Sequence, residues 1–204
     1  KREKIVGATY GSFWIDDTLV TAFNGGFGEA NYDLLVSESS EETSVRRSSG
    51  YVQALANCSD GLWMIRNPNF ESVERSNQAV IDRLAPAGGR SVTVESKTGL
   101  LGFSAAACSG TRLVGLGYSE DSQVLSTDVI AVVDLSTGKA QLKPAKGLRN
   151  KSLPVGYHFM AAVLNAAGLH VVGIPADGSG RPAELLRIDP ATGATEHLAQ
   201  IADD

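Results

Sequence analysis

The stretch AVVDLSTGKAQL, from Ala131 to Leu142, returns near the C-terminus as LLRIDPATGATEHL, from Leu185 to Leu198. In both copies an alternating apolar run ends in Asp, the chain reverses through Ser136-Thr137-Gly138 or Ala191-Thr192-Gly193, and a second strand-like run follows. This is the chemistry of a hairpin. The Asp side chain can accept hydrogen bonds from backbone N–H groups just ahead of it, and Gly supplies the positive φ that a tight or bulged turn demands. A looser copy places Val80-Ile81-Asp82 before Ala87-Gly88-Gly89 and the alternating run Arg90 to Val94. The weakest copy is Leu34 to Glu38. Asp82, Asp134 and Asp189 are spaced 52 and 55 residues apart, so a repeated hairpin unit constrains the fold more than any other feature.

Upstream of each copy lies a second shared unit, two apolar strands around a short polar turn. These units read SFWIDDTLVTAFN (12–24), VQALANCSDGLWMIRN (52–67), GFSAAACSGTRLVGLG (102–117) and YHFMAAVLNAAGLHVVGI (157–174). Four short strands per unit and a period of about 40–55 residues describe an all-β, β-propeller-like chain of four repeats of about four antiparallel strands. The expected organisation is one domain over 1–204, with repeats at about 11–49, 50–98, 99–148 and 152–201, either self-closed or part of a larger propeller. Residues 1–10 could pair with the outer edge of the last repeat and close the ring, which would remove two exposed edges. Residues 70–84 fit two patterns, a helical period ending at Pro86 and a third strand from Ala79 to Leu84; the repeat favours the strand.

The D-x-x-T-G-x turn between a third and a fourth strand resembles turns of the bacterial YVTN, quinoprotein-like and TolB-like propeller families, over about the last hundred residues. The resemblance implies the architecture. No functional residue carries over, since no WD dipeptide, kelch double glycine or Asp-box accompanies it.

A chain of 204 residues can bury one sizeable core, about 70% of its unfolded surface. The net charge of −5 argues against nucleic-acid and anionic-membrane partners, which need a concentrated basic face. The basic groups are small: Arg46-Arg47, and Lys143 to Lys151, the latter read as a solvated connection. No run approaches the ~20 apolar residues of a membrane span, so no membrane insertion is expected within this chain. Because the chain begins at Lys1 without Met, the expectation is an ectodomain or excised domain whose upstream part held a signal or anchor.

Candidate chemistry is sparse. The GGFG cluster at 25–28 lacks the Lys-Ser/Thr pair and the helix start of a phosphate loop. The repeat sets His158, His170 and His197 on first, second and fourth strands, too far apart to share a metal ion. Asp16-Asp17, Glu41-Glu42 and Ser119-Glu120-Asp121 could gather a calcium ion, but solvated turns explain them as well. No cofactor or metal is therefore expected. Cys58 and Cys108 fall at matching places on adjacent repeats; a disulfide needs Cα atoms within ~7 Å, and two small buried residues are the alternative. Trp14 and Trp63 suit the wedge between repeats, with carbohydrate stacking as the sharper reading. A small ligand would meet the mouth of a central channel lined by first strands, where Tyr51, Gln53, Tyr157 and His158 are the candidates.

The expected function is a non-enzymatic recognition or scaffold domain, extracellular or at a bacterial cell surface, binding a protein or glycan partner. The rivals are a glycan-processing hydrolase or lyase, with two carboxylates ~5–10 Å apart at the channel mouth, and a fragment of a larger propeller with no separate activity.

Overall fold

The computed structural model describes residues 9–15, 17–23, 34–38, 43–47, 51–59, 61–67, 79–85, 91–94, 99–119, 127–148, 157–175 and 180–201. Among the described residues, sixteen strands form four antiparallel four-stranded sheets, and within each sheet every strand pairs with its neighbours in sequence. Sheet one holds β1 (Thr9–Ile15), β2 (Thr18–Phe23), β3 (Leu34–Glu38) and β4 (Thr43–Arg47). Sheet two holds β5 (Tyr51–Cys58), β6 (Gly61–Asn67), β7 (Val80–Ala85) and β8 (Ser91–Thr93). Sheet three holds β9 (Leu100–Ser109), β10 (Arg112–Ser119), β11 (Val129–Asp134) and β12 (Ala140–Pro144). Sheet four holds β13 (Tyr157–Asn165), β14 (Gly168–Pro175), β15 (Ala183–Ile188) and β16 (Thr195–Ile201). The first strands are neighbours: β5 lies against β9, β9 against β13, and β1 approaches β5 and β13.

Side chains alternate across a strand, and here the two sets enter different cores. On β6, Leu62 and Met64 pack toward sheet one, with Val20 and Val52, while Trp63 and Ile65 pack toward sheet three, with Phe103 and Leu113. On β11, Val129, Ala131 and Val133 join that second core, while Ile130 and Val132 meet Leu169, Val171, Leu186 and Ile188 of sheet four. Apolar side chains at successive positions of one strand thus bury both faces of the middle sheets. The hydrophobic effect stacks the sheets face to face, at ~25 cal/mol per Å² of apolar surface removed from water. Trp63 fills the space between sheets two and three at 2% exposure, which rules out its stacking on a sugar.

The repeated turns also hold sheet to sheet. The backbone amides of Gly138 and Gly193 donate to the Asp134 and Asp189 carbonyls at 2.8 Å, and both glycines have positive φ, 75° and 76°. A Cβ at Gly138 would overlap the Thr93 carbonyl oxygen on the last strand of sheet two. One at Gly193 would overlap the Pro144 carbonyl oxygen on the last strand of sheet three. The Lys146 amide donates to the Gly193 carbonyl at 2.8 Å, and Lys143 Nζ donates to the Ala191 carbonyl. Each turn therefore seats on the outermost strand of the preceding sheet.

Two expectations need correction. Thr9 and Tyr10 belong to the first strand of sheet one, where Thr9 faces Phe23, and do not extend the outer edge of sheet four; residues 1–8 lie outside the described residues. The segment after Lys143 is no solvated connection, because Ala145 and Leu148 are buried in the core between sheets three and four. The third strand of the second repeat, expected from Ala79 to Leu84, is β7 and passes through Asp82 to Ala85. Of the alternative helical period over 70–84, residues 80–84 are strand, and residues 70–78, like the GGFG cluster, fall outside the described residues.

Candidate functional site

The first strand of every sheet carries a register irregularity near its start. In β5 the pairing passes from Val52–Arg66 to Ala54–Ile65, leaving Gln53 as the extra residue. The same step leaves Ser104 extra in β9, Met160 in β13 and Tyr10 in β1. A bulge bends the strand and re-aims the side chain it frees. All four lie toward the same end of the sheets, where the first strands begin.

Gln53 is the best-defined of them. Its Nε2 donates to the Tyr118 hydroxyl of sheet three at 2.6 Å, and its Oε1 accepts from the Phe103 amide at 3.3 Å. The side chain thus spans two sheets. Gly102 makes room for it, because a Cβ there would overlap both the Gln53 amide and the Tyr118 hydroxyl. Burial pushes the Tyr118 hydroxyl above its ordinary range, and the Gln53 hydrogen bond opposes that shift. Tyr118 therefore stays neutral at physiological pH, with its hydroxyl hydrogen available for donation. Beside it, Ser104 Oγ lies 2.7 Å from Thr127 Oγ1. Asp128 accepts from the Ser119 amide at 2.9 Å and from its hydroxyl at 2.7 Å. The result is a rigid polar end whose groups are tied to one another.

Tyr51 opens β5 opposite Asn67, Tyr157 opens β13 opposite Pro175, and His158 follows opposite Ile174. The strand starts thus place these three backbones at the same end as Gln53, and their side chains lie outside the described residues. His197 Nδ1 lies 2.9 Å from the buried Glu184 carboxylate, and His170 Nδ1 is enclosed on β14 with no hydrogen-bond partner among the described residues. No group of three or more His, Cys, Asp or Glu side chains among the described residues could hold a metal ion. Of the calcium candidates, Asp17 is exposed and Ser119 is engaged by Asp128; Asp16, Glu41, Glu42, Glu120 and Asp121 lie outside the described residues. Trp14 lies on β1, its side chain likewise not described.

At the opposite end of the same strands, Cys58 and Cys108 form a disulfide with Cα atoms 5.1 Å apart, joining sheets two and three. Gln53 and the disulfide therefore clamp the same pair of strands, β5 and β9, near their two ends.

The bulges had a trace in the sequence. Val52 and Leu55 enter one core, and Phe103 and Ala106 enter another, three residues apart where a regular strand requires an even spacing. No pattern in the sequence pointed to Tyr118 as the partner of Gln53, since 65 residues separate them.

No protein-family model matches this chain, and no curated protein matches it. Among solved structures it is similar to a single-residue variant of the Synechocystis apocarotenoid oxygenase. The identity is 11% and the TM-score 0.50, over 95% of this chain and 51% of that one. A second variant of that enzyme gives 10% identity and a TM-score of 0.48 with the same coverage. The first likeness is one of fold. The chain spans about half the length of the structures it matches.

Proposed function

We infer that the chain is a non-enzymatic recognition domain of propeller-like build, related in design to the bacterial repeat families its turns resemble. It presents a protein or glycan partner with the end where the first strands begin. The observation that carries this reading is the bulge repeated at the start of all four first strands. A bulge repeated at a common end of all four first strands suits a multi-contact binding face. The described groups there are tied to one another by hydrogen bonds, which favours recognition by shape and hydrogen bonding. The Cys58–Cys108 disulfide supports an oxidising location outside the cytoplasm, at a cell surface or secreted. The half-length coverage of the structural neighbour favours, as a second reading, a chain that works as one part of a larger propeller.

Cosedimentation with purified peptidoglycan sacculi and with intact bacterial cells tests the recognition reading. Retention in either pellet, lost in Gln53→Ala and Tyr118→Phe variants that keep their melting temperature, is the expected result. Release of reducing ends from the sacculi would instead establish the glycan-processing rival. Equal retention of wild type and both variants would remove the binding face from this end.

A further inference from the structure

Two links of different chemistry hold β5 to β9. The strands belong to different sheets and share no hydrogen-bonded ladder. At one end Gln53 donates to the Tyr118 hydroxyl and accepts from the Phe103 amide, and at the other Cys58 and Cys108 are joined covalently. Between these ends, among the described residues, β5 gives the shared core only the methyl groups of Ala54 and Ala56, and β9 gives it Phe103 and Ala106. Small side chains remove little apolar surface from water, so the covalent bond carries a large share of the attachment. It also closes a loop with a sequence separation of 50 residues, which restricts the opened chain. The two sulfurs differ in access. Cys58 is buried at 7% exposure, whereas Cys108 is half-buried and precedes the exposed corner Ser109-Gly110. Cys58 Sγ lies 3.8 Å from the Ala56 carbonyl oxygen, an acceptor already in place for a thiol hydrogen. Farther from the first strands, Trp63, Ile65 and Ile81 of sheet two pack with Leu113 and Val133 of sheet three and do not depend on the disulfide.

We propose that the Cys58–Cys108 bond is a redox-sensitive clamp, which a dithiol opens without unfolding the chain and which sets how firmly the first strands of sheets two and three are joined. The more accessible sulfur is the point of attack. A thiolate of the dithiol bonds to Cys108 Sγ, the S–S bond breaks, and its electron pair leaves with Cys58 Sγ, which takes up a proton and hydrogen-bonds to the Ala56 carbonyl. The second thiol of the reagent, as thiolate, then attacks the reagent's own sulfur in the mixed disulfide and releases Cys108, which is protonated in turn. Two electrons and two protons have passed to the protein, and the dithiol has become a disulfide. The freed thiols stay among apolar neighbours as small apolar side chains do. In this form Gln53 and small-residue packing alone connect β5 to β9, so the two strands open more often while the larger core side chains keep the sheets stacked. The proposal rests on the disulfide and its surroundings and is independent of the recognition reading.

Thiol titration and hydrogen exchange on the unmodified chain, with and without dithiothreitol, test it. The expected result in the reductant is two titratable thiols per chain with the far-UV circular dichroism unchanged, and re-formation of the bond in air once the reductant is removed. The β5 and β9 amides should exchange at least about tenfold faster in the reduced chain than in the oxidised one, while the β14 and β15 amides change by less than about twofold. Thiols that appear only after denaturant is added would overturn the proposal, because the bond would then be a closed structural staple. So would reduction that unfolds the whole chain, or equal exchange of β5 and β9 in the two forms.

Discussion

Asp134 of sheet three and Asp82 of sheet two align in the sequence repeat, but the register separates them: Asp134 faces Arg112 at the end of β11, Asp82 faces Met64 inside β7, and the molecule uses them in two ways. Asp134 ends its strand and organises the reversal. Its Oδ1 accepts from the Ser136 amide at 2.7 Å and the Ser136 hydroxyl at 2.6 Å, and its carbonyl accepts from Gly138. Asp189 repeats this with Ala191 and Thr192, each at 2.7 Å. Asp82 sits inside β7 instead, where it binds Arg66 of β6 on one side and Ser91 of β8 on the other. One carboxylate folds a turn and the other ties three strands together. The difference follows from what comes next in the chain. Ser-Thr-Gly or Ala-Thr-Gly within four residues offers the Asp a ring of local donors, whereas Arg83-Leu84-Ala85 continues the strand and leaves Asp82 only its cross-strand neighbours.

The largest effects expected from this contrast are at the turn glycines. Gly193→Val and Gly138→Val must adopt a positive φ and also displace a carbonyl oxygen of the preceding sheet. Each should cost about 2–4 kcal/mol, read as a lower denaturant midpoint. A cost near 1 kcal/mol would mean that the turns bend locally but do not seat on the neighbouring sheet. Asp82→Ala comes next. Its ion pair with Arg66 is mostly shielded from solvent, at 17% and 15% exposure, and its loss should cost about 1–3 kcal/mol by the same denaturation series. If Asp134→Ala proves the more damaging of the two, the division between turn and tie is wrong.

The smallest effect is in pH. The Ser136 hydroxyl and amide hold the Asp134 carboxyl below its ordinary range, and the Thr192 hydroxyl and Ala191 amide do the same for Asp189. A depressed folded-state pKa gives stability that is present above the unfolded value near 4 and is lost as pH falls through the folded one. Denaturation midpoints measured from pH 5 down to pH 2 should therefore fall less steeply in Asp134→Asn and Asp189→Asn than in the parent chain. Identical acid limbs would show that neither carboxylate is specifically held.

The fold was legible where the sequence repeats. The four units, their strand pairs and the turns at Gly138 and Gly193 follow from alternation, Asp and Gly alone, because a hairpin is decided by neighbours in the chain. What escaped was decided between sheets. The bulge at Gln53 breaks alternation by a single residue, and its partner Tyr118 is fixed only once two sheets pack. The segment after Lys143 reads as polar, yet it lies under the turn of the next sheet and buries Ala145 and Leu148 there. Cys58 and Cys108 are intermediate: equivalent repeat positions brought them into consideration, and the approach of β5 to β9 joins them.

The central claim is that each repeated turn docks on the preceding sheet, and the Lys146 amide reports on it most directly. Its hydrogen bond runs to the Gly193 carbonyl, across from sheet three to the sheet-four turn. In native-state hydrogen exchange this amide should be protected together with the β14 and β15 amides and lose that protection in Gly193→Val. Exchange of Lys146 at the rate of an open loop in the unmodified chain would contradict the account.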